Sequence, residues 1–248
     1  MEVLRTEKLC KNFGRLVVMD DVSLTVNSDD GRVVIIGPNG AGKTTLFNLI
    51  SGEVPPSSGN IFLFLKDITR MPNHKRCHLG LSRTFQVVNL FSNFTVMDNV
   101  LMALKAHAPF RFQMLRPLAS FKEIFKRATT LIEQIGLFEK RNFTINTLSH
   151  GEMRQVELMM GIACNPKVLL LDEPAAGLTS SEAKEFLALL KRISGEITLI
   201  TIEHDMTVAF ELADRIIVLD QGQILADGKP SEIAINPRVR EVYLGEDL

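Results

Sequence analysis

From Gly37 to Thr44 the chain reads Gly-Pro-Asn-Gly-Ala-Gly-Lys-Thr, the GxxxxGK(S/T) spacing of a phosphate-binding loop. Glycines let successive backbone N–H groups curl round an anion without Cβ clashes, so Gly37, Asn39, Gly40, Ala41 and Gly42 form the expected cradle, continued by Thr45. Lys43 is placed to reach the β and γ phosphates of a nucleotide, and the Thr44 hydroxyl to ligate Mg²⁺. A glycine-rich turn with a chance Lys-Thr is the alternative, and average residue usage gives that accident in about 1% of chains of this length. A second pair of candidates closes Val168-Leu169-Leu170-Leu171-Asp172-Glu173, an apolar strand ending in two carboxylates. If this strand lies beside the one feeding the loop, Asp172 is expected to hold Mg²⁺ through water. Glu173, one residue on, is then set to polarise the water that attacks a γ-phosphate. A solvated acidic loop is the alternative.

Those residues need elements that hold them in place. Val33-Val34-Ile35-Ile36 is a strand-sized apolar run, and a helix is expected from Lys43 to near Gly52, ahead of Pro55-Pro56. The first 30 residues read as short strands of an antiparallel edge, with Val22-Ser23-Leu24-Thr25-Val26 the clearest and a turn over 27–31. Residues 87–165 read as a helical insertion, with helices near 96–106, 119–135 and 150–164 and no strand. After Pro166 the alternation returns as strand 168–171, helix 180–194, strand 197–201, helix 206–213 and strand 215–219. Such βαβ units set strands in parallel and leave ligand-binding loops at their carboxyl ends. Asp220-Gln221-Gly222-Gln223 reads as a hairpin turn before Ile224-Leu225, and 231–248 as a short helical tail. The fold class is α/β: a parallel-sheet core with an N-terminal antiparallel β subdomain and a helical subdomain. The expected divisions are 1–86 (β subdomain and first part of the nucleotide-binding core), 87–165 (helical subdomain), 166–235 (second part of the core) and 236–248 (tail).

Bulk composition excludes several classes of function. With 248 residues, 46% hydrophobic and 23% charged, the chain is globular rather than disordered. Its formal net charge of −1 gives no global pull toward nucleic acid or anionic lipid. The apolar runs are strand-sized, so no membrane span is expected, and Met1-Glu2-Val3-Leu4-Arg5 does not read as a secretory leader. Cys10, Cys77 and Cys164 are widely spaced and outside CxxC pairs, which suits a reducing compartment and makes the cytoplasm the expected setting.

Leu148-Ser149-His150-Gly151-Glu152 precedes a helical run, and Ser149 with Glu152 fits an S-x-x-E capping box, so a well-capped helix is one reading. Joined in this order and spacing to the phosphate loop and the Asp172-Glu173 strand, it resembles the LSGGQ-type signature of the ATP-binding subunits of ABC transporters. The resemblance covers essentially the whole chain. It implies the P-loop NTPase fold of ABC ATPases, ATP and Mg²⁺ as cofactors, and two subunits meeting head to tail. Ser149 and Gly151 of each would then face the γ-phosphate bound by the other. It also gives roles to three single residues. Phe13, 24 residues before Gly37, stands where the family stacks adenine, an ordinary core Phe being the alternative. Gln86 matches the glutamine loop that reports Mg²⁺ and attacking water to the membrane partner. His204 matches the histidine switch that contacts the γ-phosphate and orients Glu173, with a surface histidine as the alternative. His150 departs from the common first Gly of the signature. Thr179 stands where many members carry the Asp of the dimer-contacting loop, which leaves communication between the two sites open.

Within the family, Gly80-Leu81-Ser82-Arg83-Thr84-Phe85-Gln86, the run Leu90 to Val96, the Pro174-Ala175-Ala176-Gly177-Leu178 loop and the ending Tyr243-Leu244-Gly245-Glu246 look like the branched-chain amino acid importers. The implied partners are a second ATP-binding subunit, identical or homologous, two membrane-spanning permease subunits and, indirectly, an extracytoplasmic solute-binding protein. The implied place is the cytoplasmic face of the membrane. Urea or amide importers and lipopolysaccharide-type exporters are alternatives. A soluble ABC-type nucleic-acid or translation factor is the alternative of another class, and no nucleic-acid partner is expected. A small-molecule kinase or GTPase leaves the signature unexplained, and no N-K-x-D motif is present. His74, Cys77 and His78 offer metal ligands but no nearby fourth. Lys105, Arg111, Arg116, Lys122, Lys126 and Arg127 against Glu123 make a solvated basic face or one that meets anionic headgroups. Val87, Val88, Leu90, Phe91 and Phe94 pack onto the core or form a groove for a partner's helix.

Overall fold

The computed structural model describes residues 1–84, 90–107, 122–195 and 197–244. The first half runs β1 (Glu2–Phe13), β2 (Leu16–Asn27), β3 (Arg32–Ile36), α1 (Lys43–Ser51), β4 (Ser58–Leu63), β5 (Lys66–Asp67), α2 (Asn73–His78), β6 (Leu81–Arg83) and α3 (Val96–His107). There follow α4 (Lys122–Gln134), α5 (His150–Ala163), β7 (Val168–Asp172), α6 (Ser180–Ile193), β8 (Thr198–Ile202), α7 (Met206–Leu212), β9 (Arg215–Asp220), β10 (Gln223–Gly228), α8 (Pro230–Ala234) and α9 (Pro237–Leu244). No helix among the described residues is long and apolar enough to cross a membrane, and no disulfide joins the three cysteines.

Two sheets form. One is antiparallel, in the order β2-β1-β4-β5; the other has the order β10-β9-β3-β8-β7-β6, with β9 to β6 parallel and β10 antiparallel at its edge. The sequence predicts short strands at the N-terminus, whereas β1 and β2 are each 12 residues long. Bulges explain the difference: Lys8 and Asp21 sit at φ 44° and 52°, the β1/β2 register slips between Thr6 and Leu9, and the period-two pattern is interrupted without ending the strands.

The parallel sheet separates two apolar clusters. Val34, Ile36, Leu169, Leu171 and Leu199 pack with α3 to α6 on one side. Val33, Ile35, Leu170, Ile200 and Ile202 pack with α1 and the antiparallel sheet on the other. Burial on both faces is why β3, β7 and β8 read as unbroken apolar runs rather than alternating ones. One expectation needs correction. β7 does not lie beside the phosphate-loop strand β3, because β8 is inserted between them and pairs in parallel with both. The β7–α6–β8 crossover brings the chain back to the β3 edge, so the carboxylates stand two strands away from the loop.

Candidate functional site

β3 is buried through Ile36 and runs straight into the phosphate loop. Gly42, the N-cap of α1, is left-handed at φ 100°, and a Cβ there would lie 2.7 Å from Met19 Sδ and 2.9 Å from the Val18 carbonyl oxygen, so glycine alone fits. No side chain caps α1. Its first N–H groups and positive dipole end are therefore available to an anion. Lys43 is 5% exposed, and its ammonium donates to the Gly37 and Pro38 carbonyl oxygens at 2.7 and 3.0 Å. Burial lowers its pKa, and the carboxylates Glu173 and Asp172 pull it back up. The loop and the end of β7 thus share one electrostatic site despite the intervening strand. Ala41 is buried, while Asn39, Gly40 and Thr44 are exposed beside the half-buried Thr45.

Asp172 is sealed in, and Arg83 from β6 supplies its countercharge. Arg83 Nη2 donates to Asp172 Oδ2 at 2.9 Å, the two side chains being 9% and 1% exposed, and Arg83 Nη1 donates to Asn48 Oδ1 at 2.6 Å. Burial pushes the Asp172 pKa up, and Arg83 works against it. Asp172 Oδ1 is buried without any hydrogen-bond donor. A carboxylate oxygen left bare in this way is a hard donor of the kind that suits a small divalent cation.

Glu173 follows β7 at φ 48°, a left-handed backbone that costs a non-glycine residue roughly 1 kcal/mol or more. Its N–H donates to the Ile202 carbonyl oxygen at 3.0 Å, which ties it to the end of β8. His204 leaves β8 on the same side, and its Nε2 lies 2.6 Å from Glu173 Oε1, with side chains 43% and 14% exposed. The two residues expected to act together are therefore in contact.

Phe13, at the tip of the β1/β2 hairpin, is 51% exposed, with Lys11 Nζ 4.9 Å from its ring centroid. It is not a core phenylalanine: its ring is half exposed, with the Lys11 ammonium over one face. Ser149 caps α5 with the expected capping box. Ser149 and Gly151 lie against α6 of the same chain: Ser149 Oγ and the Gly151 N–H both donate to Glu182 Oε1 at 3.3 Å. Gln86, with Val87 and Val88, falls outside the described residues, as do Arg111 and Arg116. Among the described residues, no group of three or more His, Cys, Asp and Glu side chains is arranged to hold a metal, so His74, Cys77 and His78 do not form a site.

Three site residues escape the sequence reading: Arg83, Glu182 and Glu203. Glu203, between Ile202 and His204, is 3% exposed, and its Oε1 is buried without a donor. Burial first, then the nearby charges of Glu173 and Asp205, push its carboxyl up to about 8 against the pull of the Ala175 and His204 N–H groups. The available signal was its place at the carboxyl end of a buried parallel strand, the same rule that singled out Asp172.

The comparisons with known proteins agree with this geometry. The ABC transporter family matches residues 19–176, and the branched-chain amino acid ATP-binding cassette transporter family matches 223–248. The chain is 38% identical to BraF of Pseudomonas aeruginosa, a high-affinity branched-chain amino acid transport ATP-binding protein, over 98% of each chain. It is 36% identical to LptB of Escherichia coli, a lipopolysaccharide export system ATP-binding protein, over 100% of this chain and 99% of that one. Among solved structures it is similar to the ADP conformation of MJ1267, an ATP-binding cassette of an ABC transporter, with TM-score 0.88 and 32% identity over 99% of this chain and 100% of that one. Other similar solved cassettes are dimers. The chain belongs to the ABC transporter family. Within it, it is an ATP-binding, ATP-hydrolysing cassette, as the motifs predict.

Proposed function

We propose that this cassette powers the import of branched-chain or related amino acids through two membrane-spanning permease subunits, at the cytoplasmic face of the membrane. The match over 223–248 and the likeness to BraF support the solute class. The exposed rings of Phe91 and Phe94, with centroids 5.8 Å apart, support a partner surface beside the stretch that holds Gln86. A solute-binding protein outside the membrane completes the assembly.

In this reading ATP stacks its adenine on Phe13 and lays its phosphates on Gly37 to Thr45, with Lys43 exchanging the loop carbonyls for the β and γ oxygens. Asp172, Thr44 and Gln86 hold Mg²⁺, which when bound neutralises charge on those oxygens. Glu173 accepts hydrogen bonding from the attacking water, and His204 fixes its carboxylate and senses the γ-phosphate. Ser149 and Gly151 of a second subunit close the site from the other side, so ATP joins the pair and hydrolysis parts it. The 2.6 Å contact between Glu173 and His204 is the observation that carries the reading.

Glu173→Gln tests it. General-base assistance is worth about 10²- to 10⁴-fold, so phosphate release should fall by that factor while ATP stays bound and the subunits stay paired. Unchanged phosphate release would refute the role of Glu173. In liposomes carrying the permease subunits, ATP-driven uptake of leucine or isoleucine is expected; uptake of urea alone, or stimulation by lipopolysaccharide instead, overturns the solute class.

A further inference from the structure

The groups assigned to a partner's γ-phosphate already hold an anion from their own chain. Glu182 is the third residue of α6, and its two carboxylate oxygens serve two helix N-termini. Oε2 accepts from the Thr179 N–H at 3.0 Å and the Thr179 hydroxyl at 2.8 Å, completing the capping box of α6. Oε1 accepts from Ser149 Oγ and the Gly151 N–H at the head of α5, and a Cβ on Gly151 would stand 2.8 Å from it. These bonds hold the carboxyl below the usual carboxylate range, the Thr179 backbone N–H contributing most. Beside them Gly177 lies against His150, a Cβ there falling 3.3 Å from the imidazole Cε1. His150 and Thr179, the two departures from the common family pattern, both lie where the start of α5 meets the segment leading into α6.

We infer that Glu182 is a displaceable stand-in for the γ-phosphate, seated on Ser149 and Gly151 in the separate subunit and expelled when two subunits close on ATP. The inference rests on the reading of Ser149 and Gly151 given above. Two anions cannot share the same two donors, because like charges at that separation repel and each acceptor needs the same N–H and O–H. In the separate subunit Glu182 accepts from the Gly151 N–H, a donor that the Ser149–Glu152 capping box of α5 does not use. Closure exchanges that carboxylate for a phosphate. ADP has no γ-phosphate to offer in exchange, so Glu182 returns and keeps the spent subunits apart. Glu182 is a positioning residue here, acting through the signature rather than on the reacting atoms.

The test uses the full chain in the Glu173→Gln background, where ATP persists, and reads the dimer dissociation constant by analytical ultracentrifugation. Glu182→Gln keeps the shape and the capping box of α6 but removes the charge. We expect about fivefold tighter pairing at each of the two sites, on the order of 25-fold in the dissociation constant, with ATP affinity of the separate subunit unchanged and its melting temperature slightly lowered, because the separate subunit loses the charge that the two helix termini hold. Glu182→Ala should tighten pairing as well while lowering the melting temperature, since the α6 cap is lost. A dissociation constant that Glu182→Gln leaves unchanged or weakens overturns the inference. Ser149→Ala reports on the underlying reading separately: it should abolish ATP-dependent pairing, and pairing at the parental strength would overturn that reading itself, whatever Glu182 does.

Discussion

Replacing Glu203 by glutamine should remove a pH dependence of folding that the native chain carries. The native carboxyl is 3% exposed and sits at about 8, against an ordinary 4.5. Over that window the folded state keeps a proton that the unfolded chain has released. Stability from this group is therefore full below the unfolded value, falls as pH rises, and levels off once the folded carboxyl ionises. From about pH 6 to about pH 9 the loss is about 3 kcal/mol, since each pH unit over which only the folded group is protonated removes about 1.4 kcal/mol. Glutamine has the shape of the protonated acid and no proton to lose. Urea denaturation of both proteins at the two pH values measures the difference directly, and contributions from other groups, such as the raised carboxyl of Asp172, cancel in the comparison. The native chain should lose about 3 kcal/mol more than the variant between those conditions. Parallel losses would show that Glu203 is ionised in the folded state, and the reasoning from its burial would fail.

Two further outcomes follow from the same site. Arg83→Met removes the ion-pair partner of buried Asp172, which should destabilise the fold by about 3–5 kcal/mol in urea, and adding Asp172→Asn should recover most of it; no recovery refutes the pairing as the cause. Phe13→Ala should weaken ATP binding to the separate subunit by roughly 5- to 150-fold, the worth of one stacked base, with Phe13→Tyr near the native value in a nucleotide titration. Equal affinity in all three would remove Phe13 from the site.

The part of the site written in contiguous motifs was legible from the sequence. The phosphate loop, the carboxylates after β7 and the capped α5 each occupy consecutive residues, and local turn and helix chemistry alone places them. What depends on distant strands was not. Arg83 reaches Asp172 across 89 positions of chain, and Glu182 meets Ser149 across 33. Neither spacing has a local signature. The order of strands was misjudged for a related reason: apolar runs reveal that β3, β7 and β8 are buried on both faces, but every order of buried strands satisfies that pattern equally. The N-terminal strands were read too short because a bulge looks, in sequence, like a strand end.

The interposed position of β8 also sets when the protein becomes competent during synthesis. β3 pairs Arg32 with Leu199, so the neighbour of the phosphate-loop strand is not translated until most of the chain exists. Until then the β3 edge and its valines and isoleucines have no partner on that side, and no histidine stands ready beside Glu173. A ribosome stalled short of residue 198 leaves a nascent fragment whose loop is written but whose Glu173–His204 contact cannot form, and whose bare strand edge is an invitation to chaperones.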